Sequence, residues 1–129
     1  VLFTGDGCFH MNFNEVVTAA KLGLDITVLV FDNHTLGMVR QWQTLFYHRH
    51  YSSTDINYPT DFVKLAEALG ATGFRLDRNE DIDDVISRAF ATKGVKVIDC
   101  AIDKDEFVLP MIPAGKNLSD ILTQKPIFN

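Results

Sequence analysis

The sequence predicts an α/β domain in which helices cover both faces of a parallel sheet. Short apolar runs alternate with segments of helical period, and at least one run is too apolar for a strand with one face in water. Glycines follow several of the helical segments, where helices commonly end. Sheets of this kind bind ligands beyond the carboxyl ends of their strands, so we expect a functional site there.

The first half of the chain predicts a strand, a helix and a second strand. Residues 1–4 form an apolar run that predicts a buried strand, and the helix that follows ends near Gly23. The predicted buried face of this helix contains Phe13, Val16, Val17 and Ala20. Residues 26–31 are an unbroken apolar run rich in β-branched residues, which predicts a strand buried on both faces.

The second half predicts two more pairs of helix and strand. Thr60 or Asp61 could cap a helix that buries apolar residues at helical spacing, and residues 73–76 are a short strand candidate. Asn79 is the predicted cap of the next helix, and residues 95–102 form the last strand. The predicted buried faces of the two helices are Phe62, Leu65, Ala66 and Leu69, and Ile82, Val85, Ile86 and Phe90.

Two segments fall outside this alternation, the loop from Asp32 to about Asn57 and the tail after Asp103. Long irregular segments in compact domains are often functional. We therefore divide the chain into a domain, residues 1–103, and a carboxyl-terminal tail, residues 104–129. Because the chain opens inside a strand without a lead-in, we expect the sheet to be truncated at its amino terminus.

Composition excludes several classes of function. A net charge of −5 disfavours nucleic acid as a partner, because phosphate binding needs a basic surface. The two cysteines, Cys8 and Cys100, form no CxxC pair and indicate a reducing compartment. No apolar run is long enough to span a membrane, and the amino terminus lacks the basic region of a signal peptide. The four histidines do not have zinc-ligand spacing with the cysteines.

The tripeptide Gly5-Asp6-Gly7 lies between a predicted strand and a predicted helix. Gly5 would permit a sharp turn and Gly7 a close approach of the backbone to a ligand. The backbone amides of Gly7 and Cys8 would then point outward at the start of the helix, where a phosphate is favoured. The carboxylate of Asp6 would repel a bare phosphate, so a hard cation such as Mg²⁺ is expected between them.

A second ligand for this cation is expected at the end of the next strand. Asn33 follows Asp6 by 27 positions and lies just beyond the apolar run that ends at Phe31. One strand-helix-strand crossover has about this length and brings both side chains to the same edge of the sheet. The tripeptide alone is a common turn, but together with Asn33 it predicts a magnesium and phosphate site.

This pattern resembles the motif by which thiamine diphosphate enzymes bind their cofactor. The resemblance implies that Asp6 and Asn33 bind Mg²⁺ through their side chains and Thr35 through its backbone carbonyl, with Gly5, Gly7 and Cys8 at the diphosphate. Asp32 stands where the motif has its first asparagine. This departure leaves open that Asp32 itself faces the metal.

Two further segments resemble the acetohydroxyacid synthase (acetolactate synthase) family. They are Leu36-Gly37-Met38-Val39-Arg40-Gln41-Trp42-Gln43 with Leu45-Phe46-Tyr47, and Val108-Leu109-Pro110-Met111-Ile112-Pro113-Ala114-Gly115. The family's acceptor pocket implies substrate roles for Val39, Trp42 and Phe46, and places Gly37 and Met38 near the cofactor. The tail, 104–129, would cover the active site. Trp42 could equally be an ordinary packing residue.

The resemblance implies an enzyme that decarboxylates pyruvate and joins the product to pyruvate or 2-ketobutyrate, in branched-chain amino acid biosynthesis. It implies thiamine diphosphate, Mg²⁺ and, on a domain outside this chain, FAD. A homodimer or homotetramer, a possible regulatory subunit and a cytoplasmic location are further expectations, with an organelle as the eukaryotic alternative. No catalytic residue is assigned in this chain, which alone is expected to be inactive. Another thiamine-dependent decarboxylase or oxidase, or a non-catalytic cofactor-binding module, remain the alternatives.

Overall fold

The structure, a computed structural model, describes residues 1–56 and 60–125. Its sheet has four parallel strands in the order β1-β2-β4-β3, namely β1 (Leu2–Gly5), β2 (Thr27–Asp32), β3 (Thr72–Leu76) and β4 (Lys96–Ala101). The helices in the described residues are α1 (Asp6–Asn12), α2 (Glu15–Lys21), α3 (Gly37–Phe46), α4 (Phe62–Ala68) and α5 (Ile82–Ala91). The predicted α/β class is confirmed. None of these helices combines the length and apolarity that a membrane crossing requires.

One face of the sheet is covered by α1, α2 and α4. Val30 and Val97 are completely buried there against Phe62 of α4, which is 1% exposed. The ring of Phe9 in α1 meets Phe62 edge to face, with ring centroids 5.6 Å apart. Asp61 caps α4, because its carboxylate accepts a hydrogen bond from the Lys64 amide. This face contains the larger part of the core and holds α1 against the ends of the strands.

The opposite face is covered by α5 over β3, β4 and Leu29 of β2. Val85 and Ala89 are buried against Ile98 and other residues of the sheet. The prediction that Ile82 and Phe90 belong to the buried face is wrong, since their side chains are 42% and 56% exposed. The buried stripe is centred on Val85 and Ala89, and a small alanine at its middle lets the helix approach the sheet closely.

The first strand also differs from its prediction, because it is an edge strand and not a buried one. Phe3 is 65% exposed and stacks on Phe31 of β2, with ring centroids 6.1 Å apart, on the part of the sheet that α5 leaves uncovered. The helix predicted after β1 is divided into α1 and α2 at Phe13 and Asn14. This division turns Val17 toward solvent, although Val16 is buried as predicted.

The two irregular segments contain more order than their sequences indicate. The predicted loop from Asp32 includes the ten-residue helix α3, and its predicted end at Asn57 lies outside the described residues. The tail includes an isolated antiparallel bridge between Met111 and Leu122 and a short 3-10 turn, Leu118–Asp120. Residues 126–129 of the predicted tail also lie outside the described part of the chain.

One buried carboxylate lies within the sheet. Asp99 of β4 is 1% exposed and lies on the same face as Val97, two residues before it. Its Oδ2 lies 3.0 Å from Nη1 of Arg75 on β3, an ion-pair distance without hydrogen-bond geometry. Burial raises the pKa of Asp99 to about 6, against the opposing attraction of Arg75. The fold therefore favours the protonated form of this carboxyl group.

This carboxyl group should make stability depend on pH. Since its pKa is about 6 in the folded protein and 3.8 ordinarily, its stabilising contribution is complete below 3.8 and is lost as the pH rises through about 6. Asp99→Asn removes the titration. As the pH rises from about 4 to about 7, the difference in free energy of unfolding between the two proteins should therefore shift in favour of the variant. Urea unfolding at both pH values measures this difference, and a pH-independent difference contradicts the prediction.

Candidate functional site

A cavity of about 480 Å³ opens at the carboxyl ends of β1 and β2. Three parts of the chain line it: the turn from β1 into α1, the segment from the end of β2 into α3, and the start of the tail. Its lining includes Gly5, Asp6, Gly7, Cys8, Asn33, Thr35, Gly37, Met38, Val39, Gln41, Phe107 and Val108. Nine residues that were predicted from the sequence to form the site therefore lie around this one opening.

Asp6 is the buried anion of this cavity. Its side chain is 4% exposed, and its Oδ1 accepts a hydrogen bond of 2.8 Å from the Gly7 amide. The second oxygen, Oδ2, is buried and has no hydrogen-bond partner among the described residues. Burial, followed by the nearby Asp32, raises the pKa of Asp6 to about 6. A buried carboxylate oxygen without a partner is costly unless a cation binds it, so the residue fits a metal site.

Asp32 lies beside Asp6 and is also buried. Its Oδ1 accepts a hydrogen bond from the His34 amide and lies 3.0 Å from Nδ1 of the same histidine. One possible ligand atom from each of Asp6, Asp32 and His34 falls within 4.8 Å of the others. This is the arrangement left open at the departure from the cofactor motif, and it adds a second carboxylate to the site. Carboxylate oxygens suit hard divalent cations.

Asn33 also lines the cavity, but the structure engages its carbonyl oxygen locally. Oδ1 accepts a hydrogen bond of 3.1 Å from the Thr35 amide. Thr35 is 1% exposed, and its hydroxyl donates to the Thr54 carbonyl at 2.8 Å. The position of Asn33 also explains why residue 37 is a glycine, because a Cβ at Gly37 would lie 2.9 Å from Nδ2 of the asparagine. The side chains of Asn33 and Thr35 therefore both hold the turn from β2 into α3.

Of the two glycines beside Asp6, only Gly7 has a steric reason to lack a side chain. A Cβ at Gly7 would lie 2.8 Å from Cδ2 of Leu36, so the glycine lets α1 begin close to the segment before α3. Gly5 has φ −90°, which any residue adopts, and a Cβ there would meet only the Phe31 carbonyl at 4.0 Å. The turn at Gly5 therefore does not depend on the conformational freedom of glycine. Cys8 is exposed and lines the cavity.

The helix α3 divides the residues predicted to contact substrate. Met38 and Val39 line the cavity, whereas Trp42 and Phe46 are not among its described lining residues. Trp42 is 47% exposed and meets Phe46 edge to face, with ring centroids 6.5 Å apart. The roles of all four in substrate binding remain predictions. Sequence reasoning missed Gln41, which lines the cavity, because an amide between Arg40 and Trp42 carries no periodic signal.

Comparison with known proteins gives concordant results. The family described as "Thiamine pyrophosphate enzyme, C-terminal TPP binding domain" matches residues 1–100. Over 97% of this chain, the acetolactate synthase of Mycobacterium avium is 47% identical, and the mitochondrial catalytic subunit of acetolactate synthase from Saccharomyces cerevisiae is 38% identical over 95%. The chain spans about a fifth of these relatives, 21% and 18% of their lengths.

Solved structures show the same fold. A thiamine diphosphate-dependent 4-hydroxybenzoylformate decarboxylase from Rhodococcus jostii aligns with a TM-score of 0.72 at 23% identity, over 78% of this chain and 19% of that one. The benzoylformate decarboxylase of Polynucleobacter necessarius aligns with a TM-score of 0.74 at 23% identity, over 83% and 20%. Together with the match over residues 1–100, these findings confirm the predicted resemblance: this chain belongs to the thiamine pyrophosphate enzymes and contains their carboxyl-terminal cofactor-binding domain.

Proposed function

We propose that this chain is the cofactor-anchoring part of an acetolactate synthase, which condenses pyruvate with pyruvate or 2-ketobutyrate. The observation that carries the proposal is the identity of 36–47% to proteins of that name over nearly the whole chain. The buried Asp6 at the cavity, whose Oδ2 has no hydrogen-bond partner in the described part of the chain, supports a metal-dependent site in the same place. Since the chain spans about a fifth of these relatives, the proposed activity is that of a protein of their length.

In the proposed site, Asp6 and Asn33 bind Mg²⁺ with their side chains and Thr35 with its backbone carbonyl. Backbone amides of Gly7 and Cys8 hold the diphosphate, whose charge the metal neutralises. The Gly7 amide, which donates to Asp6 in the structure, would be shared or redirected. Asp32 lies close enough to Asp6 to add its charge to the metal site. When bound, thiamine diphosphate supplies the electron sink for decarboxylation and carbon–carbon bond formation.

The other residues of the cavity would orient the ligands and exclude water. Met38 and Val39 from α3, with Phe107 and Val108 from the tail, give the cavity apolar walls. Apolar walls raise the strength of the charged contacts around the diphosphate, because they keep water away from them. No side chain of this chain is assigned the movement of a proton. The FAD expected of the family would belong to another domain, and a homodimer or homotetramer in the cytoplasm remains part of the proposal.

A chimaera tests this function. Residues 1–129 would replace the segment that they match in the Mycobacterium avium acetolactate synthase, and acetolactate formed from pyruvate would be measured with Mg²⁺ and thiamine diphosphate. We expect activity from the chimaera and none from the 129-residue chain alone. A folded chimaera that releases acetaldehyde without acetolactate would support the alternative of a simple decarboxylase. One that binds cofactor but turns over no pyruvate would support a non-catalytic module.

The predicted acceptor role of Trp42 gives a second measurement in the chimaera. Trp42→Leu should change the ratio of acetohydroxybutyrate to acetolactate when pyruvate and 2-ketobutyrate compete, because reshaping an apolar pocket is worth about 1 to 3 kcal/mol of discrimination. Phe90→Leu, at an aromatic residue of α5 outside the cavity lining, is the matched control. An unchanged product ratio in a folded Trp42→Leu chimaera would remove Trp42 from the acceptor pocket.

A further inference from the structure

The start of the tail, residues 104–110, contains no helix or strand in the structure, yet it forms one side of the cavity. A segment that is not part of a helix or a sheet keeps one position mainly through contacts with the rest of the fold. For Val108, which lines the cavity, the contacting element is α3, whereas the ring centroid of its neighbour Phe107 lies 4.7 Å from Nζ of Lys125. The residues of α3 that make these contacts therefore determine where this wall stands.

Gln41 makes the central contact. Its side chain is 2% exposed, and its Oε1 accepts a hydrogen bond of 2.8 Å from the Val108 amide. Its Nε2 donates to the Val108 carbonyl at 3.1 Å and contacts Sδ of Met111 at 3.1 Å. One primary amide thus pairs with both backbone groups of a single residue, as a neighbouring strand would. A buried amide that lost these partners would be left with unsatisfied polar groups, which favours this one position of the tail.

Arg40 anchors the tail a few residues earlier. It is 7% exposed, its Nε donates to Oδ1 of Asp105 at 2.8 Å, and its guanidinium lies 4.0 Å from the ring centroid of Tyr51. The hydrogen bond from Arg40 holds the pKa of Asp105 below its usual range. Arg40 is outside the cavity lining, whereas Gln41 and Val108 both belong to it. The shape of the wall at the cavity itself therefore depends on Gln41.

We propose that Gln41 is a positioning residue: its amide fixes the wall formed by Phe107 and Val108 and thereby sets the affinity of the cavity for the 2-ketoacid. The assignment of the ligand rests on the proposed function, whereas the fixing of the wall does not. Gln41 moves no proton and forms no bond to substrate in this role. Its loss should allow the wall to shift, and small misplacements of a binding wall have large kinetic effects.

The same helix offers a matched control. Gln43 pairs with both backbone groups of Ser52, since Nε2 donates to the Ser52 carbonyl at 3.1 Å and Oε1 accepts from the Ser52 amide at 3.2 Å. This pair has the same chemistry as that of Gln41 and Val108 but holds the segment after α3, away from the cavity. Comparing the two glutamines separates loss of a backbone contact in general from loss of this wall.

The first test measures amide hydrogen exchange by NMR in the 129-residue chain, without cofactor. Gln41→Ala should speed exchange of the Val108 amide by about tenfold, because its acceptor is gone. Gln43→Ala should speed exchange at Ser52 and leave Val108 unchanged. Gln41→Glu keeps an acceptor for the Val108 amide and should retain more protection than the alanine variant. Unchanged exchange at Val108 in a folded Gln41→Ala variant overturns the fixing of the wall. Equal exchange at Val108 in Gln41→Ala and Gln41→Glu overturns the assigned role of Oε1.

The second test measures steady-state kinetics in the chimaera. Gln41→Ala should raise KM for pyruvate by on the order of tenfold, with a smaller change in kcat, and Gln43→Ala should change neither by more than about twofold. The KM of the Gln41→Glu chimaera should lie between those of the Gln41→Ala and Gln43→Ala chimaeras. Faster exchange at Val108 with an unchanged KM overturns the assigned role in binding. If the unsubstituted chimaera forms no acetolactate, the proposed function is contradicted instead. The exchange measurement then tests by itself whether Gln41 fixes the wall.

Discussion

Asp6→Ala is expected to weaken Mg²⁺-dependent binding of thiamine diphosphate to the chimaera by about 100-fold or more. Loss of groups that merely support a metal ligand costs about 10-fold to 100-fold in affinity, and Asp6 is proposed as a direct ligand. Asp6→Asn should have a smaller effect, because an oxygen remains while the charge is lost. Calorimetric titration of the cofactor at fixed Mg²⁺ gives the affinity of each variant without relying on turnover.

Stability provides an independent reading of the same substitution. Burial raises the pKa of Asp6, and Oδ2 has no partner among the described residues, so the carboxylate brings the metal-free fold little stability. Asp6→Ala should therefore lose cofactor affinity without a comparable loss in free energy of unfolding. Asp84→Ala, at an exposed residue of α5, is the control for removal of one negative charge. Equal cofactor affinity in the unsubstituted chimaera, Asp6→Ala and Asp84→Ala would contradict the assignment of Asp6 to the site.

Phe62→Ala is expected to cost about 3 to 5 kcal/mol in free energy of unfolding, the range for removing a buried phenylalanine ring. The side chain is 1% exposed and lies between the sheet and the Phe9 ring, where the neighbours cannot easily collapse into the space. A typical domain is stable by about 5 to 15 kcal/mol, so the loss is a large share of the total. Urea unfolding followed by circular dichroism measures it.

Phe90→Ala removes the same ring from α5, where it is 56% exposed. Its expected cost is about 1 kcal/mol, in proportion to the apolar surface that the ring still buries. The ratio between the two variants is the informative quantity, since both lose an identical side chain from a helix. Similar losses at the two positions would contradict the placement of the core between α4 and the sheet.

The sequence was sufficient for the fold class and for the meeting of Asp6 with the segment after β2. Both follow from general rules, because apolar runs of this kind become parallel strands and their carboxyl ends share one edge of the sheet. The spacing to Asn33 could not decide which side chain faces Asp6. In the structure Asp32 is buried beside Asp6, while Asn33 also supports the turn through Thr35. That choice depends on the path of one turn, which spacing alone does not specify.

Tertiary packing decided the features that were predicted wrongly. Phe90 has the helical spacing of a buried residue, but the stripe of α5 that packs on the sheet is centred on Val85 and Ala89 and leaves Phe90 exposed. Val17 is exposed because the first helical segment is divided at Phe13 and Asn14, where no proline or glycine marks a break. The contact of Gln41 with Val108 joins residues 67 positions apart, and no local pattern records such a pairing.

The pairings of α3 also limit how the length of the chain can vary. Arg40 and Gln41 face the tail, while Gln43 faces the segment that contains Ser52. Inserting or deleting one residue in a helix rotates all later side chains by about 100°. After a one-residue insertion between Gln41 and Gln43, only one of the two glutamines could keep its pairing, and the side chain of the other would turn toward solvent. We therefore expect homologous sequences to keep the number of residues between Gln41 and Gln43 unchanged.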